Sequence, residues 1–212
     1  MGIPVLILGA SGSGKSASLR NFASDEVIIF NVAAKPLPFR KKMDKIVNNA
    51  NYGQIVKRLT PPYKNPEVKT FTIDDSQYLL AFEYLNRAKE TGYNKFTEMA
   101  LNFTNLIQHI IRETPEDFIV YFLHHTERLD DGNLKAKTIG KMLDEKVTLE
   151  GLFSIVLLCV AEKDRHYFVT QSQGYSTAKS PMEMFDLEMD NDLKLADSII
   201  REYYQLNEKG DK

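Results

Sequence analysis

The sequence predicts an α/β fold with a mainly parallel central sheet flanked by helices, and three observations predict it. Short apolar runs recur along the 212 residues, at positions 4–8, 26–32, 118–123 and 152–161; strands buried on both faces read this way because they have no polar face to alternate with. Between them lie segments with apolar residues at helical spacing, residues 96–112 being the longest. The third observation is Gly9-Ala10-Ser11-Gly12-Ser13-Gly14-Lys15-Ser16, which follows the first apolar run and precedes a helix-forming one. It fits G-x-x-x-x-G-K-[ST] without a mismatch, in the strand, Gly-rich turn, helix order that a phosphate loop needs.

The loop's residue types match its chemistry. Gly9, Gly12 and Gly14 let the backbone turn tightly and aim N–H groups inward, and the start of a helix adds its positive end. Lys15 is expected to reach the β- and γ-phosphates, and the Ser16 hydroxyl to ligate Mg²⁺. Ser13 and Ala17 complete the set expected to contact a nucleotide.

Composition bounds the rest. With 43% hydrophobic and 26% charged residues the chain has the make-up of a globular domain with a real core. Residues 1–190 are expected to form the nucleotide-binding domain, and the acid-rich residues 191–212 a C-terminal helix and tail. A net charge of −2 gives no global field for nucleic acid, so any such contact must be a local patch. Cys159 is the only cysteine and sits within an apolar run, which predicts a buried, inert thiol in a reducing compartment. That run is too short to span a bilayer, and the N-terminus lacks a signal peptide's cationic region. A cytoplasmic protein with no membrane partner is expected.

Taken in order, residues 26–32 make a second buried strand, followed by Pro36 and Pro38, which forbid regular structure. Arg40, Lys41, Lys42 and Lys45 then read as a solvated face, with a polyanion contact as the alternative. Residues 52–59 read as a short helix closed by Pro61 and Pro62. Residues 68–75 alternate into a strand ending in Asp74 and Asp75. Such an end is what a Walker B element looks like: Asp74 is expected to hold Mg²⁺ through water, and Asp75 to orient or deprotonate the attacking water. The other reading of the pair is an Asx-type cap on the helix near Gln77.

Residues 78–89 are helical in pattern, and residues 96–112 carry Phe96, Met99, Phe103, Leu106, Ile107 and Ile110 on one face. The strand at 118–123 ends in His124 and His125, either a γ-phosphate sensor or satisfied strand-end residues; with no other Cys or His nearby, a metal site is disfavoured. Residues 128–146 form a polar, lysine-bearing loop of the kind that is functional or mobile. Residues 153–160 and 166–170 predict an antiparallel hairpin extending the sheet, and residues 192–205 a last helix.

This order of parts, closing on Lys179-Ser180-Pro181 and Phe185, resembles the RecA/Rad51 core, and closely the small phage-encoded ATP-binding proteins of that group, some of which act in single-strand annealing and recombination. The resemblance implies a RecA-like P-loop NTPase that uses ATP and Mg²⁺, in a host cell's cytoplasm if phage-encoded. It places His124 or His125, with His125 favoured, at the sensor position and makes residues 128–141, with Lys135, Lys137 and Lys141, a DNA-facing loop; the segment after Tyr84 corresponds to a second such loop. It likens Lys179 to the recombinase lysine that touches a neighbouring subunit's γ-phosphate, which implies a homo-oligomer with the site at its interface. Asp75, His125 and Lys179 are thus the expected catalytic set.

One departure bears on activity. Recombinases place a catalytic glutamate near the end of the second strand, and Asn31-Val32-Ala33-Ala34-Lys35 offers no acid. The expected function is a Mg²⁺-dependent ATPase acting on single-stranded DNA. A nucleotide-switched scaffold with little hydrolysis is the alternative, and a small-molecule kinase fits less well because the long loop lacks an Arg-rich lid.

Overall fold

The computed structural model of the chain describes residues 1–60, 67–140 and 142–206. In chain order its elements are β1 (Ile3–Gly9), β2 (Val27–Asn31), β3 (Ile46–Asn48), α1 (Tyr52–Leu59), β4 (Thr70–Asp74), α2 (Gln77–Asn86), α3 (Asn94–Glu113), β5 (Ile119–Arg128), β6 (Leu134–Ala136), β7 (Ile155–Glu162), β8 (Arg165–Val169), β9 (Glu188–Asp190) and α4 (Leu193–Tyr203). The strands form one sheet in the order β3-β2-β4-β5-β1-β7-β8-β9, with β6 attached to β5. From β3 to β7 every neighbouring pair is parallel, while β8 and β9 add as antiparallel strands. The architecture is therefore α/β, with a mostly parallel mixed sheet between helices.

Each face of the sheet has its own core, as strand alternation requires. Leu6, Leu8, Phe30, Ile73 and Phe122 face α1, α2 and α3, while Val5, Ile7, Ile29, Tyr121 and Leu123 face α4. Helix α3 buries Met99, Phe103, Leu106, Ile107 and Ile110 as its spacing predicts; Phe96 is only half-buried and stacks on Tyr84. Helix α1 starts at a complete capping box, Asn51 with Gln54. At the opposite end of the chain, Asp192 caps α4 through the Lys194 and Leu195 amides.

The structure departs from expectation in three places. The segment after the phosphate loop is a single stretch of 3₁₀ helix, Ser16–Asn21, rather than an α-helix. Ser18 explains the tighter winding: its N–H reaches both Gly14 O and Lys15 O, and its hydroxyl bonds Lys15 O as well. Residues 128–146 are not one open loop, because β5 runs on to Arg128 and folds back through β6. The short strands β3 and β9 lie at the sheet's two edges, with no apolar run to announce them. The hairpin matches expectation, turning between Glu162 and Arg165 with Lys163 at φ +53°.

Two register pairs bring the loop, the acids and the histidines to one place. Gly9 of β1 lies opposite His125 of β5, and Asn31 of β2 opposite Asp74 of β4. The Gly-rich loop, the acid pair and the histidine pair therefore share the carboxyl edge of the parallel strands, the edge where open α/β sheets hold ligands. Among the described residues no helix is long and apolar enough to cross a membrane.

Candidate functional site

The loop after β1 owes its shape to glycine at two points: Gly12 has φ +79° and Gly14 φ +103°. A Cβ on Gly14 would stand 2.9 Å from His166 Nδ1, so both the backbone and the space exclude a side chain. Around this turn Lys15 curls back, its ammonium donating to Gly9 O at 2.8 Å and Ala10 O at 2.9 Å. Burial lowers the Lys15 pKa, and the nearby Asp75 and Asp74 work the other way. Ser13 Oγ is buried with no hydrogen-bond partner among the described residues.

The loop is braced from behind by residues far away in sequence. His166 Nδ1–H donates to Ser13 O at 2.8 Å, and the Cys159 thiol donates to the same carbonyl at 3.1 Å. Burial pushes the Cys159 pKa up to about 11, so the thiol keeps its proton for that bond. Asn191 donates to Cys159 Sγ at 3.2 Å and accepts from Arg20, which closes a chain of contacts from β9 to the helix after the loop.

Ser16 Oγ donates to Asp74 Oδ1 at 2.7 Å, joining residues 58 positions apart. Burial raises the Asp74 pKa, Ser16 opposes that shift, and the neighbouring Asp75 adds to it. Asp75 has φ +59°, a left-handed conformation that Asp tolerates better than most side chains, and this turns its carboxylate away from Asp74's partner. It accepts from His125 Nε2 at 3.1 Å and forms an ion pair with Lys35. Burial alone would raise the Asp75 pKa, but the bonds from His125 and Lys35 win and hold it at about 2. Lys35 is raised in turn, chiefly by its hydrogen bond to Asp75.

The adjacent histidines part company because a strand alternates. His124 is buried, accepting from Ser76 Oγ at 2.9 Å and donating from Nε2 to Lys137 O at 2.9 Å. His125 opens on the cleft and meets the Tyr78 ring edge-on at 5.9 Å between centroids. Burial lowers the His124 pKa from 6.5 to about 4, so it is neutral in the fold. Between those values the unfolded chain binds more protons, and stability contributed by neutral His124 is lost as pH falls from 6.5 towards 4. The loss amounts to about 3 kcal/mol. Lowered Asp75 forfeits its share only below its ordinary value of 3.8, and raised Asp74 works in the opposite direction. Thermal midpoints of the native protein and His124→Gln between pH 7 and 4.5 separate the effect; equal acid losses in both would assign it elsewhere.

Lys15, Ser16, Lys35, Asp75, His125 and His166 line a cleft of about 290 Å³. Ala17 lies on its wall as well. A second cleft of about 580 Å³ adjoins the other flank of the loop at Ser11 and Ser13, beside Arg128 and Tyr175. Of the residues singled out in the sequence, the structure thus gathers Gly9, Gly12, Ser13, Gly14, Lys15, Ser16, Ala17, Asp74, Asp75 and His125 at one edge.

The other lysines lie apart. Lys135 stands on β6 and pairs with Glu127 at 3.1 Å. Lys137 is exposed, with its backbone bonded to His125 O and its carbonyl to His124. Lys141 falls outside the described residues. Lys179 pairs through its backbone with Val156 of β7 and lines neither cleft at the loop. Sequence reasoning missed Lys35, His166 and Asn191. Only Lys35 left a trace, as the one charged residue in the turn after β2.

Ser16 and Asp74 are suited to a hard divalent cation, an oxygen pair already converged beside the ammonium of Lys15. Among the described residues no group of three or more His, Cys, Asp or Glu forms a site that would hold a metal by protein ligands alone. No protein-family model matches the chain, and a search of the curated proteins finds no match.

Proposed function

We propose that the chain binds ATP at the Gly9 to Ser16 loop and hydrolyses it with Mg²⁺, as a RecA-like ATPase working on single-stranded DNA in recombination or annealing. The observation that carries this reading is the 2.7 Å bond between Ser16 and Asp74 beside a buried lysine within a Gly-rich turn. Ser16 and Asp74 are the residues that would hold Mg²⁺, which when bound neutralises charge on the β- and γ-phosphates. Lys15 exchanges its two carbonyl partners for phosphate oxygens. Because β5 lies between β1 and β4, His125 stands between the loop and the acid pair, where a group that senses a γ-phosphate belongs.

Asp75 is a weak proton acceptor at about 2 and is engaged by two donors, so its part is to orient water rather than to take a proton from it. The same observation favours slow turnover, and with it the second reading, a nucleotide-switched scaffold. DNA contact rests on Lys137, exposed just after β6, and the contribution of Lys179 rests on a second copy of the chain. A kinase is the weaker reading.

The test is ATP hydrolysis with Mg²⁺, with and without single-stranded DNA, in the native protein, Asp74→Asn and Lys179→Ala. Asp74→Asn is expected to lower turnover about 100-fold or more. DNA is expected to stimulate the native protein, with an affinity that falls steeply as salt rises. ATP binding without turnover, DNA or no DNA, replaces the ATPase with the switch; absence of ATP binding removes both.

A further inference from the structure

The described residues hold another built cavity, separate from the phosphate loop. It has a volume of about 430 Å³ and lies between the turn after β3 and the side of α2, with Asn102 of α3 at its rim. That is the size of a small-molecule pocket rather than a hydration site. Its walls are aromatic and amide: Tyr78 and Phe82 stand 5.3 Å apart between centroids, and the carboxamides of Asn49 and Asn86 complete the lining. Phe82 is 40% exposed, so part of its ring is open to a planar ligand.

Two buried polar atoms in this cavity have no hydrogen-bond partner among the described residues, Tyr52 Oη and Glu83 Oε2. The other oxygen of Glu83 is satisfied, accepting from Asn102 at 2.8 Å and from Arg87 Nη1 at 3.5 Å. Buried polar atoms are nearly always paired, and a lone carboxylate oxygen beside a lone phenol needs an explanation. Burial, aided by Glu83, raises the Tyr52 pKa, so the phenol keeps a proton to donate. Tyr52 and Glu83 both line the cavity, and each leaves one hydrogen-bonding atom unused, a donor on the phenol and an acceptor on the carboxylate.

We propose that this cavity binds one unstacked nucleobase that carries an exocyclic amino group. The amino N–H bonds Glu83 Oε2, a neighbouring ring nitrogen or carbonyl accepts from Tyr52, and the base stacks against Phe82 and Tyr78. Carboxylates take base amino groups in this way, and aromatic side chains stack bases whatever their sequence. The site is distinct from the phosphate loop, but Tyr78 connects the two: its ring lies 5.6 Å from the Lys35 ammonium and against His125, the two groups that hold Asp75. A base seated on Tyr78 is thus one ring away from the residue that orients water.

The base can come from a DNA strand or from a free nucleoside, and the experiment separates these sources. Fluorescein-labelled dC and dT decamers and unlabelled deoxycytidine and thymidine are titrated into the full-length chain, its Lys15→Ala form, Tyr52→Phe, Glu83→Gln and Phe82→Ala. Lys15→Ala excludes binding at the loop, so the pocket is tested even if the ATP reading fails. The expected result is preference for dC over dT, with affinity for dC falling about tenfold in Glu83→Gln and Phe82→Ala and less in Tyr52→Phe. Tyr52→Phe removes only an unpartnered hydroxyl, so it folds even if a Glu83 change perturbs the contact with Asn102. Binding of the decamer alone assigns a strand base, and binding of deoxycytidine with the same sensitivities assigns a free nucleoside. No preference between dC and dT, or affinity unchanged in Tyr52→Phe and Phe82→Ala, overturns the proposal.

Discussion

Lys15→Ala is expected to weaken ATP binding about 100-fold or more and to bring hydrolysis to background. The side chain makes two charge-assisted hydrogen bonds across the loop, at 2.8 and 2.9 Å, and is 5% exposed. Bonds of that type are each worth about 1.5–3 kcal/mol, and a phosphate oxygen is a better acceptor than the carbonyls they now engage. The deletion removes a buried cation that acts on both Asp74 and Asp75, so the acids repel an incoming triphosphate with less to offset them. Lys15→Arg keeps the charge but spreads it over a longer planar fork in place of the compact ammonium that Gly9 O and Ala10 O share, and it is not expected to rescue. Calorimetric titration of ATP with Mg²⁺ into both variants checks this, with circular dichroism showing that the fold is kept. Native-like affinity in Lys15→Ala would falsify the loop as the nucleotide site.

How much of this was legible in the sequence depends on the range of the interaction. Strands β1, β2, β5 and β7 are buried on both faces and betray themselves as apolar runs; α1 and α3 do so by their spacing and by the prolines that follow them. Strands β3, β6 and β9 have three residues each, and their pairing is decided by the neighbour they meet, which no local pattern records. The site divides the same way. Lys15, Ser16 and Asp74 are readable because the chemistry of a phosphate loop fixes residue types at fixed offsets. Lys35 acts on Asp75 only because β2 and β4 are adjacent and in register at Asn31 and Asp74. His166 and Asn191 reach the loop across more than 150 residues, and Asn31 shapes the Lys35 turn through bonds to its backbone. The pair Tyr52 and Glu83 is equally silent in sequence, since an unsatisfied atom is a property of packing.

Asp197→Ala is expected to cost about 3–5 kcal/mol of stability, the usual result of breaking a buried ion pair from one side. Asp197 is 3% exposed on α4; it accepts from Tyr121 Oη at 3.1 Å and Thr70 Oγ1 at 3.2 Å and pairs with Arg201 Nε at 2.7 Å. Its loss leaves a phenol inside the core without a partner, and beside it a guanidinium that also holds Asp117 O and Lys69 O. For a chain of this size the thermal midpoint should fall by about 10 °C. The double variant Asp197→Ala with Arg201→Met is expected to be more stable than Asp197→Ala alone, because no buried charge is left uncompensated. The contacts reach Thr70, where β4 begins, and β4 ends at Asp74. Helix α4 therefore fixes the strand that carries the acid pair from its opposite end. Destabilisation should lower the fraction folded at elevated temperature while leaving ATP affinity at low temperature unchanged. A midpoint shift under about 2 °C would make α4 a peripheral attachment, with the sheet ordering β4 through β2 and β5 alone.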